Sequence, residues 1–350
     1  MGRMLVWGAG AIGGTVAAFL ARAGHDITVV DASPAHVAAV REKGLRIVGP
    51  VAEFTQPLDI VTPAELEGRW GAVALAVKAQ FTGEACDQLL PDLEADGYVV
   101  SLQNGLCESL IAEKAGPART IGALIGFAGD MLGPGEVRFG MRDKFAIGEL
   151  DGTVTRRIRE LAGIFADFEP QVEISTDIAG GLWGKLGFMA LLYGGTLGTS
   201  PQARLWADEE LFPLWRALVS ETVETALAQG INPAPIHGMD MLAFRVGAPA
   251  AGARAGMAAI VDFVRGSPKT HSGMWRDIAI HRKKTEAEAQ IPPVLALAAK
   301  HGVAAPALGA FYEFYRQVED RAVAQDDRLA FRLLPAAMQS PVNRAGGAAG

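Results

Sequence analysis

Lys185 is the residue of this chain whose setting most strongly indicates acid–base chemistry. One predicted helical face is apolar apart from this lysine, and its members recur at spacings of three and four: Ile178, Leu182, Lys185, Met189 and Leu192. Burial disfavours the charged form of a lysine, and lysines so placed serve as general acids or bases. Alternatively, Lys185 extends from a packing face and keeps its ammonium group in solvent. The pattern alone favours neither interpretation.

A glycine pattern near the N-terminus indicates the binding of a dinucleotide. The apolar run Met4–Trp7 leads directly into G-x-G-x-x-G at Gly8, Gly10 and Gly13. The first glycine permits a tight turn, the second lets the backbone approach a pyrophosphate, and the third lets a helix pack close to the strand. The start of that helix offers free N–H groups to the phosphates. The predicted cofactor-binding residues here are Gly8, Gly10, Ala11, Ile12 and Gly13.

Asp31 is the residue from which we predict a preference between NAD(H) and NADP(H). It ends the second apolar run, Ile27–Val30, and lies 23 residues after Gly8. A carboxylate at this point accepts hydrogen bonds from the adenosine ribose hydroxyls and repels a 2′-phosphate, so it favours NAD(H) over NADP(H). The alternative is that Asp31 only caps the turn that follows it.

Two further polar residues follow predicted strands at the edge where a doubly wound sheet binds its cofactor. Lys78 follows the run Ala72–Val77 and is predicted to hold a phosphate or a substrate carboxylate; alternatively, it is a solvated residue at a helix entry. Asn104 follows the run Tyr98–Leu102 and is predicted to orient the nicotinamide amide or the substrate. Alternatively, Asn104 and Gly105 are simply a turn pair.

Composition argues against several classes of protein. The net charge is −7 with no long basic run, which gives nucleic-acid binding no support. Two cysteines are too few for a disulfide framework, and the six histidines show no metal-ligand spacing, so we expect a reducing compartment and no metal site. We see no secretory signal and no good membrane span, and we expect a cytoplasmic protein.

The element patterns change character about halfway along the chain. The first part alternates short apolar runs with helical patterns, which predicts an α/β, Rossmann-type, doubly wound domain over 1–174. Strand patterns then stop, which predicts an all-α substrate and dimerisation domain over 175–338 and a disordered tail over 339–350. In the second domain we expect one helix over Ser272–Gln290 and a mobile loop over Arg245–Met257. The active site is expected in the cleft between the domains.

Taken in order, these motifs make the chain resemble the ketopantoate reductase (2-dehydropantoate 2-reductase) family. The resemblance runs from about Met4 to about Val318. It rests on five elements: Gly8–Gly13, Val77-Lys78-Ala79, Gln103-Asn104-Gly105, Leu182-Trp183-Gly184-Lys185, and the segment from Asp277 to Thr285-Glu286. It implies a Rossmann domain and a helical domain, often in a dimer, that reduce a 2-keto acid with a nicotinamide cofactor. Many members use NADP(H).

The resemblance also implies roles for the residues at matching positions. Lys185 would protonate or polarise the carbonyl oxygen. Asn104 would lie beside the nicotinamide and the substrate, and Lys78 would contact one of them. Glu286 would be the carboxylate of the substrate pocket.

The chain departs from the family pattern along the lysine helix. Where the family usually has asparagines four and eight positions after the lysine, this chain has Met189 and Tyr193. An apolar and an aromatic side chain in the predicted substrate pocket indicate a different or larger substrate than ketopantoate. The family's substrate-binding serine falls at Ser272 or Gly273, which we also assign to this pocket.

These observations favour an oxidoreductase that uses NAD(H), with NADP(H) as the family's alternative, on a 2-keto acid or a related small-molecule carbonyl. Its catalytic residues would be Lys185 as the general acid, Glu286 and Asn104. We expect a homodimer without nucleic-acid or membrane partners. Two alternatives remain open: a housekeeping 2-dehydropantoate 2-reductase of pantothenate biosynthesis, and a protein that senses NAD(H) without catalysis.

Overall fold

The computed structural model describes residues 2–266 and 270–344 of the 350-residue chain. It divides into two compact units, Met1–Ile178 and Ala179–Gly350, whereas the sequence predicts a boundary between residues 174 and 175. The N-terminal unit is α/β and the C-terminal unit is helical, which confirms the predicted fold class.

Twelve strands form two sheets among the described residues of the N-terminal unit. Their bounds are β1 Met4–Trp7, β2 Ile27–Val30, β3 Leu45–Val48, β4 Phe54–Gln56, β5 Asp59–Val61, β6 Trp70–Leu75, β7 Leu93–Ser101, β8 Thr120–Ile125, β9 Ala128–Gly133, β10 Glu136–Met141, β11 Phe145–Glu149 and β12 Glu173–Ile174. The accompanying helices are α1 Ala11–Arg22, α2 Pro34–Lys43, α3 Thr82–Leu89, α4 Cys107–Ala115 and α5 Arg156–Phe165.

The larger sheet has the strand order β12-β11-β8-β7-β6-β1-β2-β5. The six neighbouring strands β8, β7, β6, β1, β2 and β5 are parallel to one another. Strand β11 joins β8 in the antiparallel direction. Because β2 lies on one side of β1 and β6 on the other, the winding reverses between β1 and β6. Ligands of doubly wound sheets bind at such a switch point, beyond the carboxyl ends of the strands.

The smaller sheet, in the order β4-β3-β10-β9, is joined to α1 by an aromatic cluster. Phe139 of β10 stacks on Phe168 with ring centroids 5.8 Å apart. Phe19 of α1 meets Phe168 edge-on at 5.5 Å. The sequence analysis missed β3, β4, β5, β9 and β12, which are two to six residues long. β3 pairs with the distant β10, with Arg46 opposite Glu136, whereas β4 and β9 pair with their chain neighbours β3 and β10.

The C-terminal unit contains helices, turns and one isolated bridge between Ile236 and Met239 among its described residues. Over the described part of the chain, every helix is too short or too polar to cross a bilayer. The helices are α6 Ile178–Gly194, which starts at the unit boundary, α7 Gln202–Trp206, α8 Phe212–Leu227, α9 Ala250–Arg265, α10 Gly273–Ala279, α11 Ala287–Lys300, α12 Pro306–Glu319, α13 Arg328–Arg332, α14 Leu334–Gln339 and α15 Pro341–Arg344.

The prediction of a mobile loop over Arg245–Met257 is wrong, because α9 begins at Ala250. Its alanines and glycines permit close packing rather than flexibility. A Cβ atom on Gly256 would lie 3.0 Å from Cγ of Met239 and 3.1 Å from a ring carbon of Phe244. The small residues therefore let this helix approach its neighbours.

The prediction of a single helix over Ser272–Gln290 is also wrong, because two separate helices, α10 and α11, occupy this segment. Arg282 has a φ of 55°, which an α-helix does not accommodate. The N–H of Lys283 donates to the carbonyl oxygen of Asp277 at 2.8 Å and closes the end of α10.

The tail expected to be disordered over 339–350 is helical where the structure describes it. Gln339 ends α14, and the next four residues after Ser340 form α15. Val342 is buried, and the amide of Asn343 donates to the carbonyl oxygen of Pro213 at 2.9 Å. Residues 345–350 lie outside the described residues.

The aromatic cluster predicts a large loss of stability on truncation. Phe168 is 1% exposed, so Phe168→Ala should lower the free energy of unfolding by about 3–5 kcal/mol through lost burial and a new cavity. Phe81 is 51% exposed, so the matched change Phe81→Ala should stay within about 0.5 kcal/mol. Urea unfolding of both variants measures the difference; equal losses would contradict the role given to the cluster.

Candidate active site

The turn after β1 brings the first helix onto the carboxyl edge of the sheet. Gly8 has a φ of +109°, and a Cβ atom there would lie 2.9 Å from the backbone of Ala76 and Val77, which follow β6. A Cβ atom on Gly13 would lie 2.0 Å from the carbonyl oxygen of Gly8. Only glycine fits at these two positions, so α1 starts directly against the turn.

The start of α1 has the shape and the donors that a pyrophosphate requires. A Cβ atom on Gly10 would meet no atom within 4 Å, and no side chain caps the helix. The first intrahelical hydrogen bond runs from the N–H of Gly14 to the oxygen of Gly10, so the N–H groups of Ala11, Ile12 and Gly13 precede the helical ladder. This combination fits a dinucleotide, since its phosphates bind to free N–H groups at a positive helix end.

Asp31 lies beside the same turn, with its carboxylate held by backbone donors. One oxygen accepts from the N–H of Ala9 at 2.9 Å, and the other accepts from the N–H of Ser33 at 2.9 Å. The second bond is the turn cap that the sequence left as an alternative. The first ties the carboxylate to the glycine turn. Each carboxylate oxygen keeps a further lone pair for a ribose hydroxyl.

His36 is a residue of this site that the sequence analysis missed. Its ring is 3% exposed, and its Nδ1 accepts from the N–H of Gly135 at 3.0 Å. Nε2 therefore carries the proton and donates to the carbonyl oxygen of Ala9 at 3.1 Å. The only sequence signal was a histidine in the first turn of the helix after Asp31. Its partner Gly135 is 99 residues away and could not be foreseen.

The loops after β6 and β7 meet beside this turn. The Gln103 amide donates to the carbonyl oxygen of Val77 and to the hydroxyl of Thr82, both at 2.8 Å. Lys78 is exposed and begins a short 3-10 turn, three residues beyond the end of β6 rather than directly after the strand. Asn104 is half-buried and precedes Gly105, whose φ is +98°. The structure thus places Lys78 and Asn104 on adjacent loops at the cofactor edge.

Lys185 lies on a helix that is buried nearly all round rather than on one face. It is half-buried, while Trp183, Phe188 and Leu191 on other faces of α6 are each less than a tenth exposed. A helix apolar on all sides belongs to the interior of a domain. Among the 17 residues of α6, Lys185 alone is charged.

Met189 and Tyr193 follow Lys185 by one and two turns on the same face, and they are 9% and 2% exposed. Burial raises the pKa of Tyr193 well above its ordinary value, and the nearby carboxylates of Glu286 and Asp277 raise it further. Tyr193 therefore lies near enough to Glu286 to feel its charge.

Glu286 is the residue from which α11 starts, and its position is held through its neighbour. Glu319 accepts from the N–H of Thr285 at 2.6 Å and from its hydroxyl at 2.8 Å. The same hydroxyl lies 2.9 Å from that of Tyr315, whose ring packs edge-on against Tyr193 with centroids 5.5 Å apart. A paired polar network thus fixes the segment that carries Glu286.

Ser272 has a structural contact in addition to its predicted role. Its hydroxyl oxygen accepts from the N–H of Trp275 at 3.1 Å and caps α10. The indole of Trp275 donates to the carbonyl oxygen of Gly198 at 2.9 Å, which ties α10 to the loop after α6. A Cβ atom on Gly273 would meet only the guanidinium of Arg276, at 3.9 Å.

Family profiles match most of the N-terminal unit and most of the C-terminal unit. The family profile described as Ketopantoate reductase PanE/ApbA matches residues 4–152, and its C-terminal counterpart matches residues 177–319. A 2-dehydropantoate 2-reductase from Mesorhizobium japonicum is 30% identical over 257 residues, which cover 66% of this chain and 77% of that protein.

Solved structures share the fold over nearly the full length. A PanE/ApbA family ketopantoate reductase from Ralstonia eutropha is 26% identical with a TM-score of 0.75, over 91% of this chain and 99% of the other. A D-mandelate dehydrogenase solved with NADH and anilino(oxo)acetate is 19% identical with a TM-score of 0.76, over the same shares, and has the same fold. The chain therefore belongs to the ketopantoate reductase PanE/ApbA family and is a nicotinamide-dependent oxidoreductase.

Proposed function

We propose that this protein reduces a 2-keto acid or a related carbonyl to the alcohol, with NADH as its preferred cofactor and Lys185 as its general acid. The observation that carries the proposal is the half-buried Lys185 on the otherwise uncharged helix α6, followed on the same face by the buried Met189 and Tyr193. An ammonium group in an apolar setting interacts strongly with the negative charge that develops on a carbonyl oxygen.

The chemistry assigned to Lys185 is polarisation followed by proton transfer. A bound nicotinamide supplies the hydride to the carbonyl carbon. The Lys185 ammonium hydrogen-bonds the carbonyl oxygen and passes it a proton, which gives the alcohol and leaves a neutral amine. Solvent then returns a proton to the amine.

The remaining residues bind and orient. Asn104 is assigned to the nicotinamide or the substrate, and Lys78 to a cofactor phosphate or a substrate carboxylate. Glu286 holds the substrate in the pocket. The Ser272 hydroxyl oxygen accepts the bond that caps α10, yet its proton remains available for a substrate carboxylate. The proposal gives cofactor binding to the N-terminal unit, and substrate binding and dimerisation to the C-terminal unit.

A housekeeping 2-dehydropantoate 2-reductase is the second candidate, because most of the curated relatives carry that name. The apolar Met189 and the aromatic Tyr193 argue against it, since ketopantoate is small and polar. A protein of the same fold is a D-mandelate dehydrogenase, so the fold also serves another substrate.

Initial rates with NADH and NADPH against ketopantoate and bulkier or aromatic 2-keto acids separate the candidates. Faster reduction of a bulkier acid supports the proposal. A clear preference for ketopantoate supports the housekeeping enzyme. Tight cofactor binding with no turnover of any carbonyl would support the third candidate, a protein that senses NAD(H) without catalysis.

Lys185→Ala should lower kcat by about a hundredfold to ten-thousandfold, the usual contribution of a general acid. NADH affinity, measured by fluorescence titration, should not change. The matched control is Lys300→Ala, on the exposed end of α11, which should keep wild-type turnover. Wild-type kcat in Lys185→Ala would rule out the assigned role.

The two glycines at the start of α1 should respond differently to the same substitution. Gly10→Ala adds a methyl group to open space, so it should leave the melting temperature unchanged and weaken NADH binding about tenfold or more. Gly13→Ala drives a methyl group into the Gly8 carbonyl oxygen and should lower stability by about 1–3 kcal/mol. Thermal melts and NADH titrations test the pair; normal NADH affinity in Gly10→Ala would argue against a pyrophosphate at this helix.

Asp31 should set the cofactor preference through its charge. Wild-type protein should bind NADH more tightly than NADPH, and Asp31→Arg should shift the ratio toward NADPH about tenfold or more by supplying a phosphate partner. Because that change also removes the bonds to Ala9 and Ser33, Asp31→Asn serves as the control that loses the charge and keeps one of the two acceptor oxygens. Tighter NADPH binding by the wild type would make this assignment wrong.

A further inference from the structure

The loop between α6 and α7, residues 195–201, begins directly after the helix that carries Lys185. We call it the α6–α7 loop. Two segments that are distant in the chain bind it: residues 325–327, which lead into α13, and residues 270–275, which contain the start of α10. Ser272, which is assigned to the substrate carboxylate, lies in the second segment. The loop therefore connects a distant part of the chain to the proposed substrate pocket.

Asp327 binds the N–H groups of this loop. Its Oδ1 atom accepts from the N–H of Thr199 at 2.8 Å and from the N–H of Ser200 at 3.0 Å, and its Oδ2 atom accepts from the Ser200 hydroxyl at 2.6 Å. A Cβ atom on Gly198 would lie 2.6 Å from Oδ1, so glycine is required for this approach. Asp327 stands at the start of α13, but its side chain does not cap that helix. The carboxylate is thus committed to the loop, and hydrogen bonds to a charged acceptor are the stronger kind.

The carbonyl groups of the same loop bind the segment that carries Ser272. The indole Nε1 of Trp275 donates to the carbonyl oxygen of Gly198 at 2.9 Å, and Nε2 of His271 donates to that of Thr199 at 3.2 Å. The backbone N–H of Trp275 donates in turn to the hydroxyl oxygen of Ser272 at 3.1 Å. A displacement of the loop would therefore move the Ser272 hydroxyl with it.

Asp327 lies outside the part of the chain that the family profile matches, which ends at residue 319. The segment beyond that residue nevertheless packs into the C-terminal unit, since Leu329 and Val342 are buried. The family resemblance gives Asp327 no role, whereas its contacts tie it to the proposed pocket.

We propose that Asp327 is a positioning residue for the reduction of 2-keto acids, because it holds the α6–α7 loop so that the Ser272 hydroxyl meets the substrate carboxylate. Small displacements of a binding group are costly when the group must be aligned with its partner. The loss of Asp327 should therefore weaken substrate binding and leave cofactor binding intact, since the cofactor is assigned to the other unit. This inference rests on the proposed function and on the role given there to Ser272.

Asp327→Ala removes the hydrogen bonds to Thr199 and Ser200. It should raise KM for a 2-keto acid about tenfold or more, the usual effect of losing a hydrogen bond to a charged group. The change in kcat should be about threefold or less, because the general acid is untouched. NADH affinity, measured by fluorescence titration, should stay at the wild-type value. An unchanged KM would overturn the proposal.

Asp326→Ala is the matched control, because it removes the same charge one position away. The Asp326 side chain pairs with Arg328 at 2.6 Å, so this variant should keep the wild-type KM. Asp327→Asn should retain most of the substrate affinity, since its amide oxygen still accepts from both backbone N–H groups. An equal rise in KM from Asp326→Ala and Asp327→Ala would show a general loss of stability and contradict the proposal.

A double-mutant cycle tests whether Asp327 acts through Ser272. The variant with both Asp327→Ala and Ser272→Ala should have nearly the KM of Ser272→Ala alone, because both changes remove the same contact with the carboxylate. Effects that multiply would show that Asp327 acts elsewhere. Should Asp327→Ala not fold, Ser200→Ala takes its place; it removes only the bond to Oδ2 and should raise KM about threefold.

A neutral analogue separates this inference from the proposed function. The ketone in which a methyl group replaces the carboxylate, measured as a substrate or as a competitive inhibitor, should bind wild-type protein and Asp327→Ala equally well. An equal loss of affinity for the acid and the ketone overturns the inference alone. If wild-type protein reduces no 2-keto acid at all, the proposed function fails and this inference fails with it.

Discussion

The contact between Gly13 and the Gly8 carbonyl oxygen is the constraint on which the cofactor site depends. A Cβ atom at Gly13 would lie 2.0 Å from that oxygen, so any larger residue would push α1 away from the end of β1. The close approach places the free N–H groups of the helix over the switch point between β1 and β6. The N-terminal end of the helix and the edge of the sheet therefore form one surface because Gly13 has no Cβ atom.

The glycine turn is also held by two side chains before any ligand arrives. Asp31 accepts from the N–H of Ala9, and His36 donates to the carbonyl oxygen of the same residue. Both polar groups of Ala9 are thereby fixed, which lowers the ordering cost of binding a cofactor. Asp31 has two functions as a result, since the carboxylate proposed to select the cofactor also positions the turn.

The C-terminal unit follows a different principle, in which polar groups are placed sparsely within an apolar interior. Helix α6 is buried nearly all round and carries a single charge at Lys185. Nearby, Thr285 and Tyr315 are paired with each other, whereas the amide of Gln290 has no partner among the described residues. In such surroundings each polar atom carries a large free-energy consequence.

The sequence by itself determined the features that depend on local chemistry. The alternation of strand and helix patterns, the glycine spacing and the position of Asp31 after β2 follow from short-range periodicity and residue type. The burial of α6 on nearly all its faces does not, because the periodicity predicted a single apolar face. The helical state of α9 did not, because its alanines and glycines match a loop until Met239 and Phe244 are packed against them. The tertiary structure alone decided that His36 meets Gly135 and that Asp327 meets Thr199 and Ser200. Those pairings join segments far apart in the chain, and their geometry exists only once the elements between them have folded.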